Sequence, residues 1–177
     1  MNHIIEAFWL FLPAGIANMT PPLANKIPFL KNWKTPLDFG FKWGGQSLFG
    51  NNKTWRGLVT GTAAGAIVAG LQYSLISDHY NGFTTVAISM ILGAIMGVGA
   101  LVGDAGESFF KRRAGVKPGD SWFPFDQTDY IIGGLIAIYP FVKPGLAVIL
   151  WIFAIYFGLH LVVSYIGFRL GFKDKPI

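Results

Sequence analysis

The stretch TTVAISMILGAIMGVGALV, Thr84–Val102, runs for 19 residues without a charged side chain. It then passes, with no proline to stop it, into GDAGESFFKRR, Gly103–Arg113. Nineteen apolar residues in helical form reach about 30 Å, the thickness of a bilayer's hydrocarbon core. This stretch reads as a transmembrane helix whose end carries acids and bases into the polar phase. Four further apolar stretches lie at 4–23, 58–76, 126–142 and 146–170. The fourth is awkward. Its apolar part, Tyr130–Val142, is only 13 residues long before Lys143-Pro144, with Pro140 inside it. Reaching a spanning length means extending the helix back through Asp129 and Asp126. Carboxylates at such a position are costly and need a reason.

Composition agrees. The 177 residues are 53% hydrophobic and 13% charged, with a mean hydropathy of +0.49. Soluble domains carry about 25% charge, which argues against a disordered chain, a nucleic-acid-binding domain or an ordinary soluble enzyme. The expected fold is all-α: one polytopic membrane domain over 1–177, with five helices and two long loops at 25–56 and 104–125. There is no cysteine, so disulfides and thiolate–metal sites are excluded. His3, His79 and His160 are too scattered for a zinc site. Glu6 and His79 are expected at the outer surface, and His160 in a packed position. The first stretch lacks Lys and Arg at its start and carries Glu6, so it reads as a retained span and not a cleaved signal.

With five spans, both long loops and the C-terminal tail share one side. Lys26, Lys31, Lys34, Lys42, Lys53, Arg56, Lys111, Arg112, Arg113, Lys117, Arg169, Lys173 and Lys175 all fall there, 13 of the 14 basic residues. Only Lys143 lies opposite. The positive-inside rule makes that side cytoplasmic and puts the N-terminus outside. Gly57, Gly61 and Gly65, and then Gly93 and Gly97, repeat at intervals of four. Such stripes let helix backbones approach closely; packing within the chain is the favoured reading, and a homodimer the alternative.

Five of the nine acids lie between 104 and 129: Asp104, Glu107, Asp120, Asp126 and Asp129. If the third helix continues past Val102, Asp104, Ser108 and Lys111 share one face. Asp126 and Asp129 share a face of the next helix. Carboxylates beside Lys and Arg suit a divalent ion and phosphates, because Mg²⁺ takes one or two carboxylates plus phosphate oxygens. The plainer alternative is a solvated loop whose charges pair with one another and with headgroups. In the first loop, Gly45, Gly50 and Lys53-Thr54 approach a phosphate-binding loop, but the spacing is two residues too long and no strand precedes it. Asp38-Phe39-Gly40 has the letters of a kinase motif and nothing else of a kinase. Asn18 and Asn25 flank Pro21-Pro22 at the end of the first span.

The block Gly103–Arg113, Gly115-Val116-Lys117 and Asp126-Gln127-Thr128-Asp129 resembles the signature of the membrane CTP:phosphatidate cytidylyltransferases. Asn52-Lys53-Thr54-Trp55-Arg56-Gly57 strengthens the resemblance to their archaeal branch, the CDP-archaeol synthases. Two departures point to that branch: the usual His-Gly-Gly stretch before the acid pair is absent, and Gln127 stands where Arg is usual. The resemblance covers essentially the whole chain. It implies transfer of CMP from CTP to the phosphate of a prenylated glycerol lipid, 2,3-di-O-geranylgeranylglyceryl phosphate, with release of pyrophosphate at the cell membrane. It further implies Mg²⁺ on Asp104, Asp126 and Asp129, and phosphate contacts from Ser108, Lys111 and Arg112. Asn52, Lys53, Thr54, Arg56 and Lys117 would then bind the nucleotide. The alternatives are a phosphatidate cytidylyltransferase for ester lipids and, from another class, a small transporter. Acids gathered at one membrane edge and not at the midplane favour the enzyme.

Overall fold

The computed structural model describes residues 2–76, 85–117 and 120–171. His79, Lys173 and Lys175 lie outside them. Five helices follow in order: α1 His3–Ala24, α2 Trp55–Ile76, α3 Val86–Arg113, α4 Phe125–Ile138 and α5 Leu146–Arg169. A two-stranded hairpin, β1 Lys42–Trp43 with β2 Gln46–Ser47, sits in the loop between α1 and α2. All but α4 are long and apolar enough to cross a membrane. The protein is therefore a multi-pass membrane protein.

The elements differ from expectation in three places. The third helix does run past Val102, as far as Arg113, so the second loop shrinks and the GDAGES segment is helical. The fourth helix does reach back through Asp126, but it ends at Ile138 and spans about 21 Å, because the chain turns before Pro140. The hairpin is an addition to an all-α reading. Gly44 (φ +63°) and Gly45 (φ +81°) supply the two left-handed positions that a tight hairpin turn needs.

Lipid is as apolar as Leu, so helices in a membrane associate through close packing and hydrogen bonds. Both devices are visible where α1, α2 and α3 meet. A methyl group built on Gly65 would lie 2.7 Å from the Gly93 carbonyl oxygen, and one on Gly61 would lie 2.7 Å from that of Ala17. The glycine stripes are thus used within the chain. Prolines in α1 contribute. Pro13 has no N–H, which frees the Trp9 carbonyl, and Gln72 Nε2 donates to it from α2 at 2.8 Å. Pro21 likewise frees the Ala17 carbonyl, the group that abuts Gly61. At the centre Phe11, Ile131, Ile138 and Ile152 are fully buried. Tyr130 Oη donates to the Tyr156 carbonyl (2.8 Å) and Tyr156 Oη to that of Phe8 (2.6 Å), tying α4 to α5 and α5 to α1. His160 packs its ring against Tyr130, with centroids 5.7 Å apart. Lipid-facing positions such as Leu75, Ile136 and Leu150 are apolar and more than 60% exposed.

Gly103 abuts the Asp129 carbonyl and Gly99 abuts Gly133 and Ala137, so α4 lies antiparallel against the second half of α3. This brings the polar end of α3, the start of α4 and the loop before α2 together at one end of the bundle.

Candidate active site

That end holds two linked lysine–carboxylate pairs. Lys53, two residues before α2, places Nζ 2.5 Å from Asp104 Oδ2 on α3. Two helical turns further along α3, Lys111 Nζ lies 2.5 Å from Asp126 Oδ1 at the start of α4 and 3.8 Å from Glu107 Oε1. The expectation that α3 and α4 bring acids and bases to one place is met, and the spacing explains why. Asp104, Ser108 and Lys111 lie on successive turns of one face, and Ser108 and Lys111 are buried. Asp126 is held further by the Trp122 amide, which donates to Oδ2 at 2.7 Å.

Near the Lys53–Asp104 pair, and one helical turn after Asp126, lies Asp129, 8% exposed. Its Oδ1 accepts from the Tyr130 amide, while Oδ2 is buried with no hydrogen-bond partner. Glu107 Oε1 and Arg112 Nη1 are also buried without a hydrogen bond. Buried polar atoms in native proteins are nearly always satisfied. Two carboxylate oxygens and a guanidinium nitrogen left without hydrogen bonds beside the pairs suit a ligand that supplies a cation and acceptors. Burial works against the charge on Lys53, yet the carboxylates of Asp104, Asp129 and Glu107 outweigh it and hold the ammonium above the ordinary lysine range.

The three acids expected to share a metal ion are divided among different partners. Asp104 faces Lys53, Asp126 faces Lys111 and Asp129 keeps a bare oxygen. Among the described residues no three acidic or histidine side chains surround one point. The donor set still fits Mg²⁺, which takes hard oxygen donors and is satisfied by one or two carboxylates when phosphate oxygens complete its shell. Asp129 Oδ2 is the free donor such an ion requires.

Of the residues expected around the nucleotide, Lys53 reaches the cluster and Asn52 beside it is exposed. Lys117 is exposed in the loop after α3. Thr54 and Arg56 are built into the scaffold. Thr54 Oγ1 accepts from the Gly57 amide at 3.2 Å and caps α2. Arg56, 4% exposed, donates to the Leu30 and Lys31 carbonyls (3.1 and 3.3 Å) and to Asn25 Oδ1. It fastens the chain leaving α1 to the start of α2, and so fixes Lys53 between them. The residue missing from the sequence-derived site is Glu107. Its signal was available: it sits three residues after Asp104 and four before Lys111, so it borders their shared face.

The first loop is braced by Asp38. Its carboxylate accepts from the Gly40 amide (2.9 Å), Ser47 Oγ (2.9 Å) and the Phe49 amide (3.2 Å). Burial raises its pKa, but these three donors prevail and hold it below the usual carboxylate value. The kinase-like triplet is thus a loop staple. The hairpin docks on α3 through Arg113, whose guanidinium lies 5.4 Å from the Trp43 ring and 3.5 Å from that of Phe109.

A groove of about 1000 Å³ runs along α3 and α4 on the lipid side. Its walls are apolar, and Glu107 and Asp129 stand at its polar end.

Comparison with known proteins agrees with this picture. The family described as CarS-like, CDP-archaeol synthase, matches residues 1–177. The chain is 33% identical over 177 residues to a CDP-archaeol synthase of Pyrococcus horikoshii, covering 99% of this chain and 98% of that one. It is 36% identical over 161 residues to a CDP-archaeol synthase of Methanosphaerula palustris, covering 87% and 96%. A solved structure of an intramembrane enzyme for archaeal membrane lipid biosynthesis superposes with a TM-score of 0.75 at 32% identity, covering 91% of this chain and 94% of that one.

Proposed function

The chain belongs to the CDP-archaeol synthase family, and from that premise we propose that its two linked lysine–carboxylate pairs carry the transfer of CMP from CTP to a lipid phosphate. The acceptor is the phosphate of a glycerol lipid bearing two geranylgeranyl ether chains, and the products are CDP-archaeol and pyrophosphate. One observation carries the assignment of the site: Asp129, with a bare buried oxygen, lies near the Lys53–Asp104 pair and one helical turn after Asp126, at the head of an apolar groove.

A lipid phosphate oxygen is already anionic, so no protein nucleophile is needed. It attacks the α-phosphorus of CTP; the new P–O bond forms as the bond to the β-phosphate oxygen breaks, and pyrophosphate departs. The chain's task is to place two polyanions in line and offset their charge. Lys53, with Asn52 beside it and Lys117 in the loop after α3, receives the triphosphate, while Thr54 and Arg56 hold that segment in position. Lys111, Arg112 and Ser108 receive the acceptor or leaving phosphate. Mg²⁺ held by Asp104, Asp126 and Asp129 would neutralise the triphosphate and the charge that develops at phosphorus. The end that carries the site faces the cytoplasm, where CTP is, and the N-terminus lies outside. The basic residues gathered at that end, with Lys143 opposite, support this orientation.

The test supplies labelled CTP and Mg²⁺ to the purified chain with either the ether-linked isoprenoid phosphate or diacyl phosphatidate. CDP-lipid from the ether acceptor is the expected result. Label in neither lipid overturns the proposal, and exclusive use of phosphatidate assigns the chain to ester lipids.

A further inference from the structure

The chain leaving α1 folds at once into tight turns. Leu30 and Lys31 donate their amides to the Ile27 carbonyl (3.0 and 2.9 Å), and Trp33 donates to that of Leu30 (3.0 Å). The buried guanidinium of Arg56 grips the same backbone through the Leu30 and Lys31 carbonyls. The backbone is therefore fixed, yet the side chains are left outside. Phe29 is 81% exposed, and Ile27 and Trp33 are exposed with it. Lys26, Lys31 and Lys34 are exposed among them. No acid occurs from Asn25 to Leu37, and neither Lys31 nor Lys34 forms an ion pair among the described residues. The next acid, Asp38, is occupied by its three donors in the loop. A single exposed hydrophobic residue needs no explanation, but three within seven positions, interleaved with lysines, make a patch that something covers.

We propose that residues 26–34 are a docking surface for anionic lipid headgroups, with Phe29 and Trp33 seated in the bilayer interface and Lys31 and Lys34 on lipid phosphates. Depth supports the choice of occupant. The 22 residues of α1 reach about 33 Å, enough to cross the hydrocarbon core, so the chain emerges from it in the headgroup layer. Aromatic rings and lysine stems suit that layer, because each has an apolar body and, for Trp and Lys, a polar tip. Charge supports it too: a turn with exposed cations and no acid complements an anionic surface, where each lysine strengthens attachment by about fivefold. Arg56 ties this turn to the start of α2, two residues beyond Lys53, so the seat on the bilayer also fixes the height of the cluster. The inference goes beyond the reaction at that cluster and depends only on α1 crossing the membrane.

The chain has no cysteine, so Asn32→Cys supplies a unique thiol on the exposed side of the turn for a fluorophore. The labelled chain is reconstituted in phosphatidylcholine bilayers that carry, at equal mole fraction, either phosphatidylglycerol or phosphatidylcholine with a nitroxide on the acyl chain near the headgroup. Both lipids should quench the fluorophore, and the anionic one should do so with at least fivefold higher apparent affinity. High salt should bring that ratio to within twofold of unity, as should Lys31→Gln combined with Lys34→Gln. Phe29→Ser should weaken quenching by both lipids at least twofold, because the turn loses its apolar seat. The salt titration uses the labelled parent alone, so the proposal stays testable should a variant not fold. Absence of quenching by either lipid overturns it, and is the result expected if a partner protein covers the turn. A ratio near unity in the parent, or one that survives both salt and the lysine substitutions, overturns it as well. None of these readings needs turnover, so a chain that makes no CDP-lipid overturns the proposed function and leaves this inference standing.

Discussion

The seam between α2 and α3 and the seam between α3 and α4 are both lined with glycine, yet one is shut and the other opens to lipid. At the first, Gly65 and Gly93 bring the backbones into contact and leave a space of only about 40 Å³ beside Trp9 and Gln72. At the second, Gly99, Gly103 and Gly133 bring the helices equally close, but the flank beside them holds a groove of about 1000 Å³ with carboxylates at its end. The difference lies in what surrounds the glycines. The first seam is backed by α1, whose Pro13 and Ala17 carbonyls fill the junction. The second is backed on one side by nothing but side chains facing lipid. A small-residue stripe therefore identifies where helices touch, and the neighbouring helix decides whether the contact is a weld or the floor of a site.

Substitutions at the two seams should separate these roles. The largest effect is expected at the open seam's head. Asp129→Asn keeps the shape and removes the charge, and should lower kcat by about 10²–10³-fold or more while the protein still elutes as a folded species. Asp126→Asn should follow closely, because it also leaves Lys111 without its nearest carboxylate. Wild-type turnover in both variants would remove them from the site. At the closed seam Gly65→Leu should act on stability, since its Cβ would meet the Gly93 carbonyl oxygen. A cost of about 1–3 kcal/mol or more is expected for overpacking, read as a fall in thermal midpoint in detergent. Gly106→Leu, at a helical glycine of α3 whose Cβ would meet nothing within 4 Å, should show no such fall.

Arg56→Met is next. Loss of the guanidinium strands Asn25 and the carbonyls of Leu30 and Lys31, at about 1–3 kcal/mol. Arg56→Lys should recover little, because an ammonium cannot span those three acceptors. A variant with parental stability and weakened CTP binding would move Arg56 from scaffold to nucleotide contact.

The smallest effect concerns the loop staple. Asp38 has a lowered pKa in the folded chain, so its contribution is fully present above the unfolded carboxylate value. It is lost as pH falls through the lower, folded value. Asp38→Asn should flatten the acid limb of a stability–pH profile, and an unchanged limb would place that dependence elsewhere.

Most of the architecture could be read from the chain because a membrane imposes simple lengths. Apolar runs near 20 residues gave four of the helices, and the absence of a breaker after Val102 foretold that α3 carries Asp104 out of the apolar zone. The spacings Asp104–Ser108–Lys111 and Asp126–Asp129 point to the cluster. What remained hidden was pairing. Nothing in the order of residues says that Lys53 would meet Asp104 across 51 positions, or that Arg56 would turn to backbone carbonyls and not to a ligand. The hairpin is not legible in the sequence because strands two residues long have no periodicity. Glu107 is less conspicuous than the three aspartates, although its helical phase places it beside Lys111 and at the end of the groove.

Joining CMP to a lipid phosphate is the role proposed for this cluster. Position-specific labelling tests it most directly. The purified chain is given Mg²⁺, the two-chain isoprenoid glycerol phosphate and CTP labelled at either the α- or the γ-phosphate. The α-label should move into the lipid extract as the γ-label appears in pyrophosphate, one for one. A γ-label in the lipid, or no label there from either CTP, would contradict the account.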